Sequence, residues 1–193
     1  WCTEKKVQLI SDEAYHGITY NAKAPTALQF TDNAIILNTF SKYFAMTGWR
    51  MGWTILPTIE MADRVKKLSE SLFVSAPTLS QHVAYKVFDH IDVLDSYVDL
   101  YAKNRAILLE ELPKIGINTF TNAAGAFYIY ADIHHISNDS EAFCRDMLDH
   151  AHVSTTPGTD FDLTRGKQNI RICYADSTEN IIEACERLKR WRA

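Results

Sequence analysis

Ahead of Pro57, three short apolar runs, "VQLISDEAY", "AIILNTF" and "GWTILP", each give way to polar or conformationally special residues. Runs this short and this continuously apolar suit strands of a parallel sheet buried on both faces. Residues 7–15, 34–40 and 52–57 are therefore expected to form three such strands. A sheet of that kind belongs to the α/β class and carries its functional groups at the carboxyl edge of its strands.

Beyond Pro57 the period of the apolar residues changes from strand-like to helical. "TIEMADRVKKLSESLF" and "TLSQHVAYKVFDHI" place them at intervals of three and four, and Pro77 with Thr78 marks a helix start. Residues 92–115 read as one long amphipathic helix, of the sort that crosses from one domain to the next, with Pro113 as a place to stop. The remainder predicts a compact α+β unit. It has strands at "GAFYIYADI", "VSTTPGTDF" and "NIRICYA", a helix at "DSEAFCRDMLDHA", and a last helix from Ser177 to Arg192. Ser177 caps that last helix, and its closing "RLKRWR" puts cations where the helix dipole favours them, so the basic tail has a structural reason.

Between the second and third runs lies "NTFSKYFAMTGWRMGW", residues 38–53, in which Lys42 is the single lysine and Arg50 follows eight positions on. A core segment does not carry an ammonium unless something compensates for its burial. That compensation has to come from a partner group.

The totals narrow the choice of partner. The chain has 193 residues, 47% of them hydrophobic, and a formal net charge of -4, so no basic excess argues for nucleic acid. No apolar stretch approaches the roughly 20 residues of a membrane-spanning helix, and no signal peptide is recognisable, which points to a soluble, cytoplasmic protein. Cys2, Cys144, Cys173 and Cys185 form no C-x-x-C pair and are expected to be reduced structural thiols. The histidines are not spaced with a third ligand, so no metal site is expected. The opening "WCTEKK" reads as the last turn of a helix, as in part of a longer chain.

Four features then line up in order: Asp12 and Tyr15 in "SDEAY", Lys42 in "NTFSK", Arg50 in "GWRMGW", and Arg171 in "NIRICYA". Together they resemble the fold-type I pyridoxal-phosphate enzymes, specifically the class I/II aminotransferases. The resemblance extends through "GAFYIYADI" and "PGTDF", and "NAAGAFY" and "TPGTDF" match segments that line the active-site side of the small domain in that family. It implies that residues 1–91 are the carboxyl-terminal part of a large cofactor-binding domain. Residues 92–115 would then be the interdomain helix and residues 116–193 the small α+β domain.

The resemblance also implies roles. Lys42 would be the catalytic residue, joined to the aldehyde of pyridoxal 5'-phosphate and later moving a proton at the substrate's α-carbon. Its burial is then compensated because the cofactor neutralises it. Asp12 would keep the ring nitrogen protonated, and Tyr15 would donate to the ring oxygen. Arg50 would pair with the phosphate. Thr39, three positions before the lysine, would add a hydroxyl to it, while Ser41 suits a phosphate contact or a structural role equally. Arg171 would take the α-carboxylate of the substrate. Glu13 is read as structural. Gly48 and Gly52 leave room for backbone close to the site.

On this reading the protein is an aminotransferase acting on an amino acid and a 2-oxo acid as a homodimer, seen as its carboxyl-terminal portion and inactive without the amino-terminal half. That half supplies further cofactor contacts in the family. The same residues would also serve a carbon–sulfur β-lyase, and an aminotransferase-like sensor domain of a transcription regulator is the reading from a different class.

Overall fold

β1 (Leu9–Asp12) and β2 (Ala34–Thr39) pair in parallel, with Asp12 beside Leu37, so both strands end at the same edge. β3 (Gly52–Ile55) joins the other side of β2. The computed structural model describes residues 1–192, which divide into two units, Trp1–Ser96 and the residues from Tyr97 onward.

The expectation of three parallel strands is corrected at β3, which runs antiparallel to β2, with Asn38 opposite Trp53 and Thr39 opposite Gly52. Residues 40–51 hold only tight turns and one 3-10 turn at Thr47–Trp49, with the Phe40 amide closing onto the Met51 carbonyl at 3.1 Å. A parallel return needs a crossover of a dozen or more residues, usually with a helix, which this segment does not contain. Burial on both faces is corrected too, since Ile10 is 59% exposed and Ile55 is 42% exposed.

The core of the first unit lies under the turn that follows β2. Phe40, Met46 and Ala84 are buried there, with Phe44, Met51 and Trp53 packed around them. The rings of Phe40, Phe44 and Trp53 sit 4.9 to 6.0 Å apart in tilted and edge-to-face pairs, the geometry aromatic quadrupoles favour. α2 (Ile59–Phe73) starts where the Thr58 hydroxyl accepts from the Met61 amide, yet none of its residues is buried. Leu68, Leu72, Phe73 and Val74 stand in water. α3 (Thr78–Val87) begins after Pro77 as expected, and Ser80 ties it to the Trp49 carbonyl at 2.8 Å. At the start of the chain, Cys2–Lys5 form one helical turn, α1, closed by Lys6 in the left-handed region.

α4 (Ile91–Glu111) is the long helix, and the unit boundary falls within it. It tightens into a 3-10 turn at Leu112–Ile115, where Pro113 lacks the amide to continue an α-helix, and Gly116 at φ 89° closes the end. The second unit carries an antiparallel sheet in the order β4 (Thr119–Phe120), β5 (Tyr128–Asp132), β7 (Asn169–Cys173), β6 (Thr156–Pro157). Ile129, Ala131 and Ile170 are wholly buried on one face of it, while Tyr128, Tyr130 and Arg171 alternate to the other. α5 (Ser140–Asp146) is capped by Asp139 and runs on into a π turn at Met147–Ala151. α6 (Thr178–Arg192) follows the Ser177 cap, whose hydroxyl accepts from the Asn180 amide.

The strand expected over residues 153–161 reduces to the two residues of β6. Proline has no amide to extend the ladder, and the chain turns at once into a 3-10 turn at Gly158–Asp160. A Cβ at Gly158 would come within 2.6 Å of the Asn169 carbonyl, so the turn depends on a bare backbone at that point. Asn104 ties α4 into this unit. It is fully buried, donates to the carbonyls of Tyr174 at 3.1 Å and Asp176 at 2.7 Å, and accepts from the Thr178 hydroxyl at 2.9 Å. No helix among the described residues is long and apolar enough to cross a membrane.

Candidate active site

The parallel pairing of β1 and β2 brings two of the singled-out segments to one sheet edge. The Glu13 amide donates to the Leu37 carbonyl at 2.8 Å, extending the ladder by one bond before the chain turns through Ala14–Gly17. Asp12 is exposed at the strand end, and its Oδ1 accepts from the Ala14 amide at 3.1 Å. Tyr15 is half-buried, and the Lys42 ammonium lies over its ring at 5.3 Å from the centroid. Asp12, Tyr15 and Lys42 therefore share the edge that the sequence indicated.

The segment after β2 is shaped by its own hydroxyls. The Thr39 hydroxyl donates to the Met51 carbonyl at 3.2 Å and accepts from the Ser41 amide at 3.1 Å. The Thr47 hydroxyl donates to the Ser41 carbonyl at 2.8 Å. Arg50 is exposed in the left-handed region at φ 52°, with one guanidinium nitrogen donating to the Thr47 carbonyl at 2.9 Å. Gly52 is needed where β3 meets β2, because a Cβ there would lie 2.5 Å from the Asn38 carbonyl oxygen, whereas nothing crowds Gly48.

Two residues outside the expected cofactor-holding set hold this edge in place: Glu13, read from the sequence as structural, and Tyr43. Glu13 is buried. Its Oε1 accepts from the Thr26 hydroxyl and the Ala27 amide, both at 2.9 Å, and from Ser11 at 3.1 Å, while His16 Nδ1 lies 3.2 Å from Oε2. Burial alone pushes this carboxyl up, but the Ala27 amide, the two hydroxyls and His16 outweigh it and hold it below the ordinary glutamate value. Tyr43, next to Lys42, donates to Asp95 at 2.6 Å. Burial, and then the Asp95 carboxylate, push its phenol up to about 12.

Arg171 stands in the second unit, in the middle of β7 and opposite Tyr130. Its guanidinium carbon lies over two rings, 4.3 Å from the Tyr128 centroid and 4.2 Å from that of Phe161. Two cation–π contacts of this kind hold the guanidinium in place. Strand alternation could have flagged Tyr128. Phe161 comes from the turn after β6 and has no periodic signal, although both residues lie in the "NAAGAFY" and "TPGTDF" segments. Among the described residues no cluster of three His, Cys, Asp or Glu side chains could hold a metal ion.

Residues 1–188 match the family model for aminotransferase class I and II. The chain belongs to the class I and II aminotransferases. A valine–pyruvate aminotransferase of Mycobacterium tuberculosis is 41% identical over 99% of this chain and 50% of its own length. A (5-formylfuran-3-yl)methyl phosphate transaminase of Methanocaldococcus jannaschii is 37% identical over 95% of this chain and 49% of its own. The crystal structure of an aminotransferase from Mycobacterium tuberculosis superposes with a TM-score of 0.93 at 40% identity, covering 99% of this chain and 50% of that one. The chain thus spans about half the length of the relatives it matches. Aminotransferases of this family are generally pyridoxal-phosphate-dependent.

The side chains at the sheet edge fit such a cofactor in their chemistry. They comprise an amine at Lys42, a carboxylate at Asp12 for a protonated ring nitrogen, a phenol at Tyr15, and a guanidinium with neighbouring hydroxyls at Arg50, Ser41 and Thr39 for a phosphate.

Proposed function

We propose that this chain is the lysine-bearing, carboxyl-terminal portion of a pyridoxal-phosphate-dependent aminotransferase that moves an amino group between an amino acid and a 2-oxo acid. The observation that carries the reading is the Lys42 ammonium lying 5.3 Å over the Tyr15 ring at the edge that also presents Asp12. Pyridoxal phosphate, when bound, supplies an aldehyde and a ring that draws electron density from the substrate's α-carbon.

Lys42 would hold that group through Nζ, and its free amine would take and return the proton at the substrate's α-carbon. Asp12 keeps the ring nitrogen protonated, because a carboxylate beside a cationic ring favours the charged form. Tyr15 donates its phenolic hydrogen to the ring oxygen. Arg50 takes the phosphate with charge-assisted hydrogen bonds. Ser41 is better suited than Thr39 to add a hydroxyl, since the Thr39 proton already serves the Met51 carbonyl. Arg171 takes the α-carboxylate along the edge of its fork.

The working enzyme on this reading includes polypeptide corresponding to the other half of its relatives and acts as a homodimer. Residues 1–91 belong to the large domain, 92–115 to the linking helix and 116–193 to the small domain. A cytoplasmic setting belongs to the same reading. The 41% identical valine–pyruvate aminotransferase makes valine and pyruvate the first substrates to assay.

The test is to add pyridoxal phosphate, reduce with borohydride and map the labelled peptides. Label concentrated on Lys42 supports the reading. Label on Lys66, Lys67 or other exposed lysines with none on Lys42 overturns it.

A further inference from the structure

We propose that Glu13 is a positioning residue, whose buried carboxylate sets where Asp12 and Tyr15 stand relative to Lys42. The inference rests on the reading of those three residues as the cofactor-holding set. It concerns a residue that touches neither cofactor nor substrate in that reading.

Glu13 lies between Asp12 and Tyr15 in sequence but faces the other way. Asp12 is exposed at the end of β1, whereas Glu13 is 4% exposed. Its Oε1 collects three donors from two separate stretches of chain: Ser11 from its own strand, and the Thr26 hydroxyl and Ala27 amide from a turn thirteen and fourteen residues on. His16 closes the other side at Oε2. The segment from Ala14 to Gly17 is thereby held at both ends, by the carboxylate through His16 and Thr26 and by the ladder bond from the Glu13 amide to Leu37. Tyr15 sits inside that held segment, with its carbonyl accepting from the Ile18 amide at 2.9 Å.

Opposite this clasp, the same segment meets the Lys42 side. Gly17 abuts the Tyr43 ring so closely that a Cβ at Gly17 would lie 2.7 Å from the Tyr43 Cβ, and Tyr43 is itself anchored on Asp95. The Tyr15 turn is thus pressed between a buried carboxylate and the residue next to Lys42. A carboxylate is the group for the first position, because four donors converge there and an ionised acid offers two oxygens with about four lone pairs and no hydrogen of its own. Removing it strands the Ala27 amide and frees the turn to drift from the Lys42 amine.

The experiment needs no cofactor. Reductive methylation with carbon-13 formaldehyde labels every lysine of the chain, and the Lys42 resonance is assigned by its loss in Lys42→Arg. Held over the Tyr15 ring, it is displaced by the ring current from the resonances of exposed lysines such as Lys66. In Glu13→Ala the displacement should collapse toward the Lys66 position. In Glu13→Gln, whose amide oxygen can still accept from Ala27, most of it should return. Thr26→Val, which removes one donor, should give a smaller change in the same direction, and it remains informative if Glu13→Ala does not fold. An unmoved Lys42 resonance in Glu13→Ala, or in Thr26→Val where Glu13→Ala does not fold, would make Glu13 a plain structural acid and overturn the proposal. Failure of pyridoxal phosphate to label Lys42 in the wild-type chain would instead strike the proposed function and leave this measurement to stand by itself.

Discussion

The ring of Tyr43 occupies the space that any side chain at Gly17 would need, since a Cβ there would lie 2.6 Å from Tyr43 Cδ2. The two residues come from turns at the ends of adjacent parallel strands, so their contact fixes the distance between the Asp12–Tyr15 segment and the Lys42 segment. Gly17→Ala should push the ring aside and destabilise the chain by about 1–3 kcal/mol, as overpacking does. Urea denaturation measures the loss, and Tyr43→Ala in the same background should recover part of it. Full wild-type stability in Gly17→Ala would mean that the turn yields freely.

Acid titration should expose the Glu13 carboxylate. Its folded pKa lies below the ordinary value of 4.5, so the stability it contributes is fully present above that value and is lost as pH falls through the folded pKa. Wild-type chain should therefore lose stability more steeply below about pH 4 than Glu13→Gln does. Parallel stability curves for the two proteins over that acid range would contradict the assignment.

The stacked guanidinium of Arg171 predicts a difference between charge and shape. Arg171→Lys keeps the cation but gives up the flat fork that meets the Tyr128 and Phe161 rings, and in the full-length enzyme it should raise KM for the 2-oxo acid with little change in pyridoxal-phosphate affinity. Loss of a bidentate charge-assisted pair costs on the order of 2–5 kcal/mol, so a rise of well over tenfold is expected. An unchanged KM would remove Arg171 from the carboxylate site.

Asn104 offers a test confined to the second unit. Asn104 is fully buried, and its amide satisfies two carbonyls and a hydroxyl, of which the Tyr174 and Thr178 bonds are buried. Asn104→Leu should cost at least about 1–3 kcal/mol, the penalty for stranding buried acceptors. Thermal denaturation of the variant should show a clear drop in Tm, and an unaltered Tm would mean that water reaches these groups.

The parts of this molecule that were legible in its sequence are those written in local chemistry. The helix start at Pro77 and Thr78, the Ser177 cap, the proline that ends the long helix and the strand pattern around Arg171 all carry a short-range signal, and the structure has helices and strands where they point. The shared edge of Asp12, Tyr15 and Lys42 was legible because β1 and β2 are parallel, as continuous apolar runs suggest. The direction of β3 was not, because an apolar run has the same composition in either direction and only the short turn before it decides. Residues 153–161 look strand-like until the close approach of Gly158 to Gly166 and Asn169 is known, and that approach is a tertiary fact. Glu13 was read as structural, but its clasp was not legible for a similar reason, since two of its four partners, Thr26 and Ala27, are donors that only the fold brings to it.

The bare apolar side of α2 has a thermal consequence. Leu68, Leu72, Phe73 and Val74 meet water directly, and the attraction between such surfaces weakens as water cools. A solution of the chain alone should therefore stay clear on ice and cloud on warming, well before its secondary structure melts, and the clouding should reverse when the sample is chilled again.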